Sequence, residues 1–537
     1  MVEITENFDL KKTFDDYRNV FLDTKKYWLI YLLFIALTTL STFTKKNMAH
    51  PKFTLIAFAL IAVVGVFCIL FYFLHNSDEE LHKVAFVIIL LFGIICAMVV
   101  PIVFHIDELE HFTRSELTSH GELIPHWVGD EFGIHTLYNH TSENKSTALN
   151  HGVGFYTIGS MKFFEKFRAK TVLATDHDTD KINHTPYLRG SAFEQNPFYG
   201  YLPQAIGIAV AKLLDMNVIW MLWLGRIFNL IFFAFMAALA VKITPCLKMP
   251  MIAVSCLPVT IYHAASVSID SMFFALGILA VAYFLYLHQS GENTIENKHL
   301  VMFSALCLLL GLCKLPFLAF IFLLLFIPKM NFKNDNILPF IILSILIVAV
   351  CGVLWSRYST PALMHSWRSS LNQVNASQQL NYLLNNPSEI FKFIQQSIGI
   401  SISDVLNELI NFDYRNKASL SRYAFIIMAV EVFTAVILLT YPQKVKFDLK
   451  TRLGAFLVFA VIYMGTFFVQ LLTWEEVGQM YVGVHIRYFI PLLALIPIFI
   501  QLNFSGDENA SRFDRYTYVF IIGFMATLIM ALVTRFY

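Results

Sequence analysis

Between His105 and His111 the chain reads HIDELEH, which sets the carboxylates Asp107, Glu108 and Glu110 among two imidazoles. A positioned carboxylate can take a proton from an attacking hydroxyl, and a neighbouring acid or imidazole can orient it. The stretch follows directly on an apolar run of about twenty residues, the length that crosses a bilayer. General-base chemistry here would therefore be done at a membrane surface. The plain alternative is that charges mark where a helix leaves the membrane. Spacing argues against leaving it there: Glu108 and His111 are three apart, as are Asp107 and Glu110, so a helix aligns each pair on neighbouring faces. Arg114 extends that side by another turn.

Cationic side chains could bind an anionic group at the same surface, and an Arg fork suits paired oxygens best. The candidates lie far away in sequence. VGVHIRYFIP puts His485 and Arg487 at the mouth of an apolar run, beside Trp474 and Tyr488; an interfacial belt of Trp, Tyr and Arg would look the same. Arg226 falls inside an apolar run, where a lone charge costs at least ~2.5 kcal/mol and needs a partner or a water-filled cavity. Asp270 begins another run, and N-capping is its simplest account. Lys314 sits between two short apolar runs, where it could reach such a group or snorkel. The Asp176, Asp178 and Asp180 series imitates the start of a calcium loop. However, Lys181 replaces the required Gly and Tyr187 the closing Glu, so the stretch reads as a solvated loop.

The elements that must position these residues follow from composition. The chain is 57% hydrophobic and 14% charged, with a mean hydropathy of +0.61. That is about half the charge of an ordinary soluble domain. Repeated bilayer-length runs make it an all-α polytopic membrane protein. A net charge of +1 with no basic stripe argues for no nucleic acid. The seven cysteines lie in or near apolar runs, which speaks against a disulfide framework or a Cys-based zinc site. The mixed-charge segment up to Lys26 does not fit a cleavable signal peptide.

About thirteen spans are expected, near 28–44, 53–75, 83–104, 218–243, 250–267, 271–288, 299–312, 315–328, 338–355, 422–441, 453–473, 488–503 and 515–535. A single helix over 299–328 would measure about 45 Å, too long for a ~30 Å hydrocarbon core, and Lys314-Leu315-Pro316 interrupts it. The Lys/Arg distribution places the N-terminus inside, with Lys45, Lys46 and Lys52 as the exception. Two large loops, 105–217 and 356–421, then lie on the exoplasmic face. Within the first, Asn196–Met216 reads as an interfacial helix. The expected division is 1–82 (a cytoplasmic segment and two extra spans), 83–355 (a membrane core with the first loop), 356–421 (the second loop) and 422–537 (the C-terminal helices).

HIDELEHFTRSELTSHGELIP resembles the PDEPAHF-type signature of a bacterial membrane-protein family catalogued as a domain of unknown function (DUF2142). NPFYGYLPQAIGIAVAKLL, LGRIFNLIFF, LPVTIYHAASVSIDSMFFAL, LGLCKLPFLAFIFLLLFIP and LTWEEVGQMYVGVHIRYFIPLLAL agree in order, from about Pro101 to Pro491. Leu109 stands where that family usually has Pro, and residues 1–82 add two spans. The family in turn resembles the GT-C integral-membrane glycosyltransferases, which carry an acidic residue or pair in the first exoplasmic loop. The resemblance implies a GT-C-like architecture and transfer of sugar, with inversion, from a polyprenyl-phosphate donor to an envelope glycan or lipid acceptor. It puts Asp107 in the role of base, with Glu108 beside it as a second catalytic carboxylate. His111, Arg114, Arg226, Asp270, Lys314, Trp474, His485, Arg487 and Tyr488 are the expected substrate-binding residues, within a bacterial plasma membrane whose lipids surround the chain. No cofactor is demanded, although a divalent metal (Mg or Mn) is compatible. Two other readings stay open: a flippase or transporter of lipid-linked saccharides, for which no internal repeat is found, and a non-catalytic partner in envelope polysaccharide assembly.

Overall fold

The computed structural model describes residues 10–45, 49–134, 152–177, 179–191, 193–363, 374–411, 424–502 and 507–537. It is mostly helical. Eight described helices are long and apolar enough to cross a membrane: Lys25–Thr44, Pro51–Leu74, Leu81–Val99, Ile219–Ile243, Asp270–His288, Ile337–Ser359, Leu449–Trp474 and Ser511–Phe536. Burial ranks them. The most apolar window of Asp270–His288 is 89% buried, against 22% for Lys25–Thr44 and for Ile337–Ser359. A helix apolar all round belongs either in a core or in lipid, so the first is central and the other two turn most of their surface outward.

Of the five remaining expected spans, two are broken into shorter helices and three are single helices of 12 to 17 residues. The 250–267 run is two short helices, Lys248–Ser255 and Pro258–Ala264, broken where Pro258 has no N–H to offer the preceding turn. The 488–503 run divides into Ile486–Phe489, Ile490–Leu493 and Ile496–Phe499, with Pro491 and Pro497 near the starts of the last two. The 299–328 stretch divides at Lys314 into Asn297–Cys313 and a 3-10 helix, Leu315–Phe326. These two pack against each other, so the chain reverses at Lys314. Gly311 makes that contact close: a Cβ there would meet Leu318 Cδ2 at 2.2 Å. The 422–441 run is represented by Ala424–Thr440.

The expectation of an all-α chain needs one correction. Strands Phe155–Ile158 and Pro186–Arg189 form an antiparallel pair, with Phe155 opposite Arg189 and Ile158 opposite Pro186. The first strand shows the period-2 burial of a half-covered sheet, Phe155 fully buried and Tyr156 55% exposed. The pair lies against the helix Glu108–Ser119.

That helix is polar by composition yet buried along most of its length. Leu109 and Phe112 join a small core with Met161, Phe164, Ile208 and Leu222. Its charges are matched by neighbours: Arg189 Nη2 lies 3.1 Å from Glu110 Oε1, and Lys212 Nζ lies 2.7 Å from Glu116 Oε1. The expected interfacial helix is Leu202–Leu213, about 18 Å long and too short to span. It packs between Glu108–Ser119 and Ile219–Ile243. Gly207 permits the approach, since a Cβ there would stand 2.2 Å from the Leu224 carbonyl oxygen.

Candidate functional site

The loop from Pro101 to Asp107 joins the end of the span Leu81–Val99 to the helix Glu108–Ser119, and its conformation is strained. Val103 has φ 39° and Asp107 φ 56°. The left-handed region costs an L-residue roughly 1–2 kcal/mol; Asp tolerates it through its short polar side chain, a β-branched Val much less. The surrounding structure has to hold such a loop in place.

Arg226 supplies that hold. Its Nε and Nη2 donate to Glu108 Oε1 and Oε2 at 2.8 and 2.7 Å. Nη1 donates to the carbonyls of Ala97 and Val100 at 2.9 and 2.8 Å, and Nη2 also to that of Pro101 at 2.8 Å. All five guanidinium protons are thus used, three of them on carbonyls where a helix ends and has no donors of its own. Glu108 in turn accepts from the backbone N–H of Val267 and of His105. Both side chains are fully buried. Glu108 and Arg226 therefore fasten the loop beneath Asp107 and do not line the cavity described next. Arg114 is likewise engaged, donating to Thr118 Oγ1 and to the carbonyls of Glu122 and Leu123 at the far end of the helix.

The other eight expected residues meet. Asp107, His111, Asp270, Lys314, Trp474, His485, Arg487 and Tyr488 all line one cavity of about 210 Å³. They arrive from five places in the chain: the start of Glu108–Ser119, the start of Asp270–His288, the reversal at Lys314, the end of Leu449–Trp474, and the segment leading into Ile486–Phe489. Apart from Asp107 and His111, at the start of the polar helix Glu108–Ser119, each lies at or near the end of an apolar helix.

Two carboxylates, Asp107 and Asp270, face the cavity. Asp270 Oδ2 stands 3.0 Å from Arg487 Nε and 3.9 Å from His263 Nδ1, with the Asp270 and Arg487 side chains almost wholly buried. The N-cap position expected of Asp270 belongs to Ile269, and Ser268 Oγ accepts from the Asp270 N–H at 3.1 Å; Asp270 is instead the acid of the first turn and the counter-charge of Arg487. Asp107 sits at the N-terminus of its helix with its own backbone carbonyl accepting from the N–H groups of Glu110 and His111. Lys314 Nζ lies 2.8 Å from the centroid of the Tyr488 ring, and the Arg487 guanidinium 5.2 Å from it, so that ring holds two cations on one wall.

His111 is stacked on Phe193, with centroids 4.1 Å apart, and its Nδ1 is 2.8 Å from the Tyr201 hydroxyl. Asn196 Nδ2 donates to that same hydroxyl at 2.9 Å. Burial pushes the Tyr201 phenol up, so it keeps its proton and can give it to Nδ1. Burial also pushes His111 down, to about 4, against the pull of the Asp270 and Asp107 carboxylates. Burial thereby favours the neutral imidazole at physiological pH.

Sequence reasoning passed over Phe193, Gln195, Asn196, Ile269, Phe273, Cys313, Gln470 and Gly483, which complete the lining. Gln470, one turn before Trp474 in an otherwise apolar run, was the one legible signal among them. Among the described residues no group of three or more His, Cys, Asp or Glu side chains could hold a metal ion; Asp178 of the aspartate series lies outside them.

A second, apolar groove has a volume of about 390 Å³. It is lined by Leu315, Pro316, Leu318 and Phe322 on one side and by Ile345, Ala349, Gly352 and Val353 on the other. Lys314, which lines the polar cavity, directly precedes Leu315. The groove therefore lies between Leu315–Phe326 and the outward-facing span Ile337–Ser359.

No curated protein and no solved structure matches the chain. The model of the family described as Predicted membrane protein (DUF2142) matches residues 90–496, a stretch that contains every residue lining the cavity and the groove, and the chain belongs to that family.

Proposed function

We propose that the protein is a GT-C-type membrane glycosyltransferase. It transfers a sugar from a polyprenyl-phosphate donor to a glycan, glycolipid or polymer acceptor of the cell envelope, at the exoplasmic face. The observation that carries this reading is the cavity itself: a carboxylate, Asp107, shares one small chamber at the ends of membrane helices with Arg487, Lys314 and His485.

In this reading the cations hold the phosphate and Asp107 serves the acceptor. Asp107 takes the proton from an acceptor hydroxyl as that oxygen bonds to the anomeric carbon. The bond from that carbon to the phosphate oxygen breaks, and its electron pair leaves with the lipid phosphate. Arg487 and Lys314 stabilise the charge gained by the leaving group. Attack opposite the leaving group inverts the centre. In this reading Asp270 is the counter-charge of Arg487, and Asp107, at the start of its helix, carries the proton transfer. Neutral His111 hydrogen-bonds sugar or acceptor hydroxyls. The apolar groove lined by Leu315 suits the isoprenoid chain, because its walls are apolar and Leu315 directly follows Lys314 of the cavity.

The test is the purified protein in lipid nanodiscs with a radiolabelled polyprenyl-phosphate sugar. Turnover should be detectable as transfer or slow hydrolysis, and Asp107→Asn should lower it by ~10²–10⁴-fold, as loss of a general base does, with donor binding and melting temperature nearly unchanged. An Asp107→Asn protein that turns over at the wild-type rate would sink the assignment of the base. Absence of transfer and hydrolysis with every polyprenyl-phosphate sugar tried would favour the flippase or assembly-partner reading.

A further inference from the structure

The segment that brings His485 and Arg487 to the cavity has no regular secondary structure from Glu475 to His485. It lies as an extended strap. Met480, Val482 and Val484 are buried in the main core, while Tyr481 is 63% exposed and Gly483 and His485 line the cavity. Such a strap has no strand beside it to fix its register. At Gly478, where φ is 89°, it meets a side chain from another part of the molecule. Gln379, fully buried on the helix Ala376–Asn385, accepts from the Gly478 N–H through Oε1 at 2.7 Å and donates to the Gln479 carbonyl through Nε2 at 3.0 Å. One amide thereby pairs with a donor and an acceptor of the strap, as a neighbouring β-strand would. Tyr382, one turn further along the same helix, closes over Gly478, with ring atoms 3.9 Å from where a Cβ would stand.

We propose that Gln379 is a positioning residue for the phosphate-binding end of the cavity: it clamps the strap and so fixes where His485 and Arg487 point. The second long polar segment, 356–421, is thereby made part of the site without lining it. The inference rests on the reading of Arg487 as a phosphate ligand. A buried amide that makes two hydrogen bonds cannot be replaced by an apolar side chain without leaving both strap groups unmatched.

Two measurements on the full chain in nanodiscs separate the clamp from the phosphate reading. The first is amide hydrogen exchange of peptides covering 475–485. The second is binding of undecaprenyl phosphate, followed by native mass spectrometry. Gln379→Ala should speed exchange in the strap by roughly tenfold or more, as loss of two buried hydrogen bonds implies, and should weaken undecaprenyl phosphate by a comparable factor. Gln379→Glu keeps the acceptor for Gly478 but loses the donor to Gln479. It should fall between wild type and Gln379→Ala, and it provides the reading if the alanine protein does not fold. Unchanged strap exchange in both variants overturns the proposal, and so does a loosened strap with unchanged affinity. A loosened strap in a protein whose wild type binds no undecaprenyl phosphate supports the clamp and instead removes the phosphate reading beneath it.

Discussion

Glu108 and Arg226, 118 residues apart, form a two-pronged ion pair at 2.8 and 2.7 Å with no solvent exposure on either side chain. The pair joins the helix that starts behind Asp107 to the span Ile219–Ile243, and through three carbonyls it also holds the end of the span Leu81–Val99. A buried pair like this need not add net stability, but removing one partner leaves an uncompensated charge and typically costs ~3–5 kcal/mol.

Glu108→Gln and Arg226→Leu should each lower the apparent melting temperature of the detergent-solubilised protein substantially. The combined variant should lose clearly less than the sum of the two, because neither charge is then stranded. Strictly additive losses would mean that the two side chains do not act as a unit.

Arg487 and Asp270 should behave differently from that pair, since both face the cavity. Arg487→Lys keeps the charge and loses the fork. Its donor KM should rise by roughly tenfold or more, the scale of a lost charge-assisted hydrogen bond, while the protein still folds. Asp270→Asn should weaken donor binding through misplacement of Arg487, and the loss should vanish in an Arg487→Ala background. Steady-state kinetics of the four proteins decides the matter; an Arg487→Ala enzyme with wild-type KM and kcat would make Arg487 an interfacial anchor only.

The stability of the protein should depend on pH through its buried imidazoles. His111 is pushed down to about 4 in the folded state, chiefly by burial, against about 6.5 for an exposed histidine. Above pH ~6.5 the ring is neutral in both states. As pH falls from ~6.5 toward 4 the unfolded chain takes up the proton and the folded one does not, so stability is lost at up to ~1.4 kcal/mol per unit. His105, pushed down by burial and then by Arg226 and Arg487, acts with the same sign. Melting temperatures between pH 8 and 4.5 should fall on the acid side, and His111→Gln should flatten that fall. An equally steep profile in His111→Gln would mean that the ring is charged where it sits.

Topology can be tested without any substrate. Ser377 is exposed on the helix Ala376–Asn385. In a background without accessible thiols, Ser377→Cys should react with an impermeant maleimide in intact cells. Ser142→Cys should do the same, although that position lies outside the described residues. Protection of Ser377→Cys until lysis would place the cavity on the other face of the membrane.

The sequence by itself determined the class of the molecule and offered eight of the residues that line its cavity. Apolar runs of bilayer length have few ways to fold in lipid, so eight of them become helices. Asp107, Asp270, Lys314, Trp474 and Arg487 all stand at ends of apolar runs. Ends that share one face of a membrane lie at one height, so even widely separated residues can meet there. Which of the charged candidates would meet was decided only by tertiary structure. Glu108 and Asp107 are neighbours in sequence, but the left-handed turn at Asp107 leaves its carboxylate at the cavity while Glu108 points inward to Arg226. The sign of a charge is local, whereas its partner depends on helix rotation and packing. The hairpin of Phe155–Ile158 with Pro186–Arg189 and the grip of Gln379 on Gly478 are of the same kind. Each hydrogen bond or contact that fixes them joins residues far apart in the chain, where no period of the sequence records it.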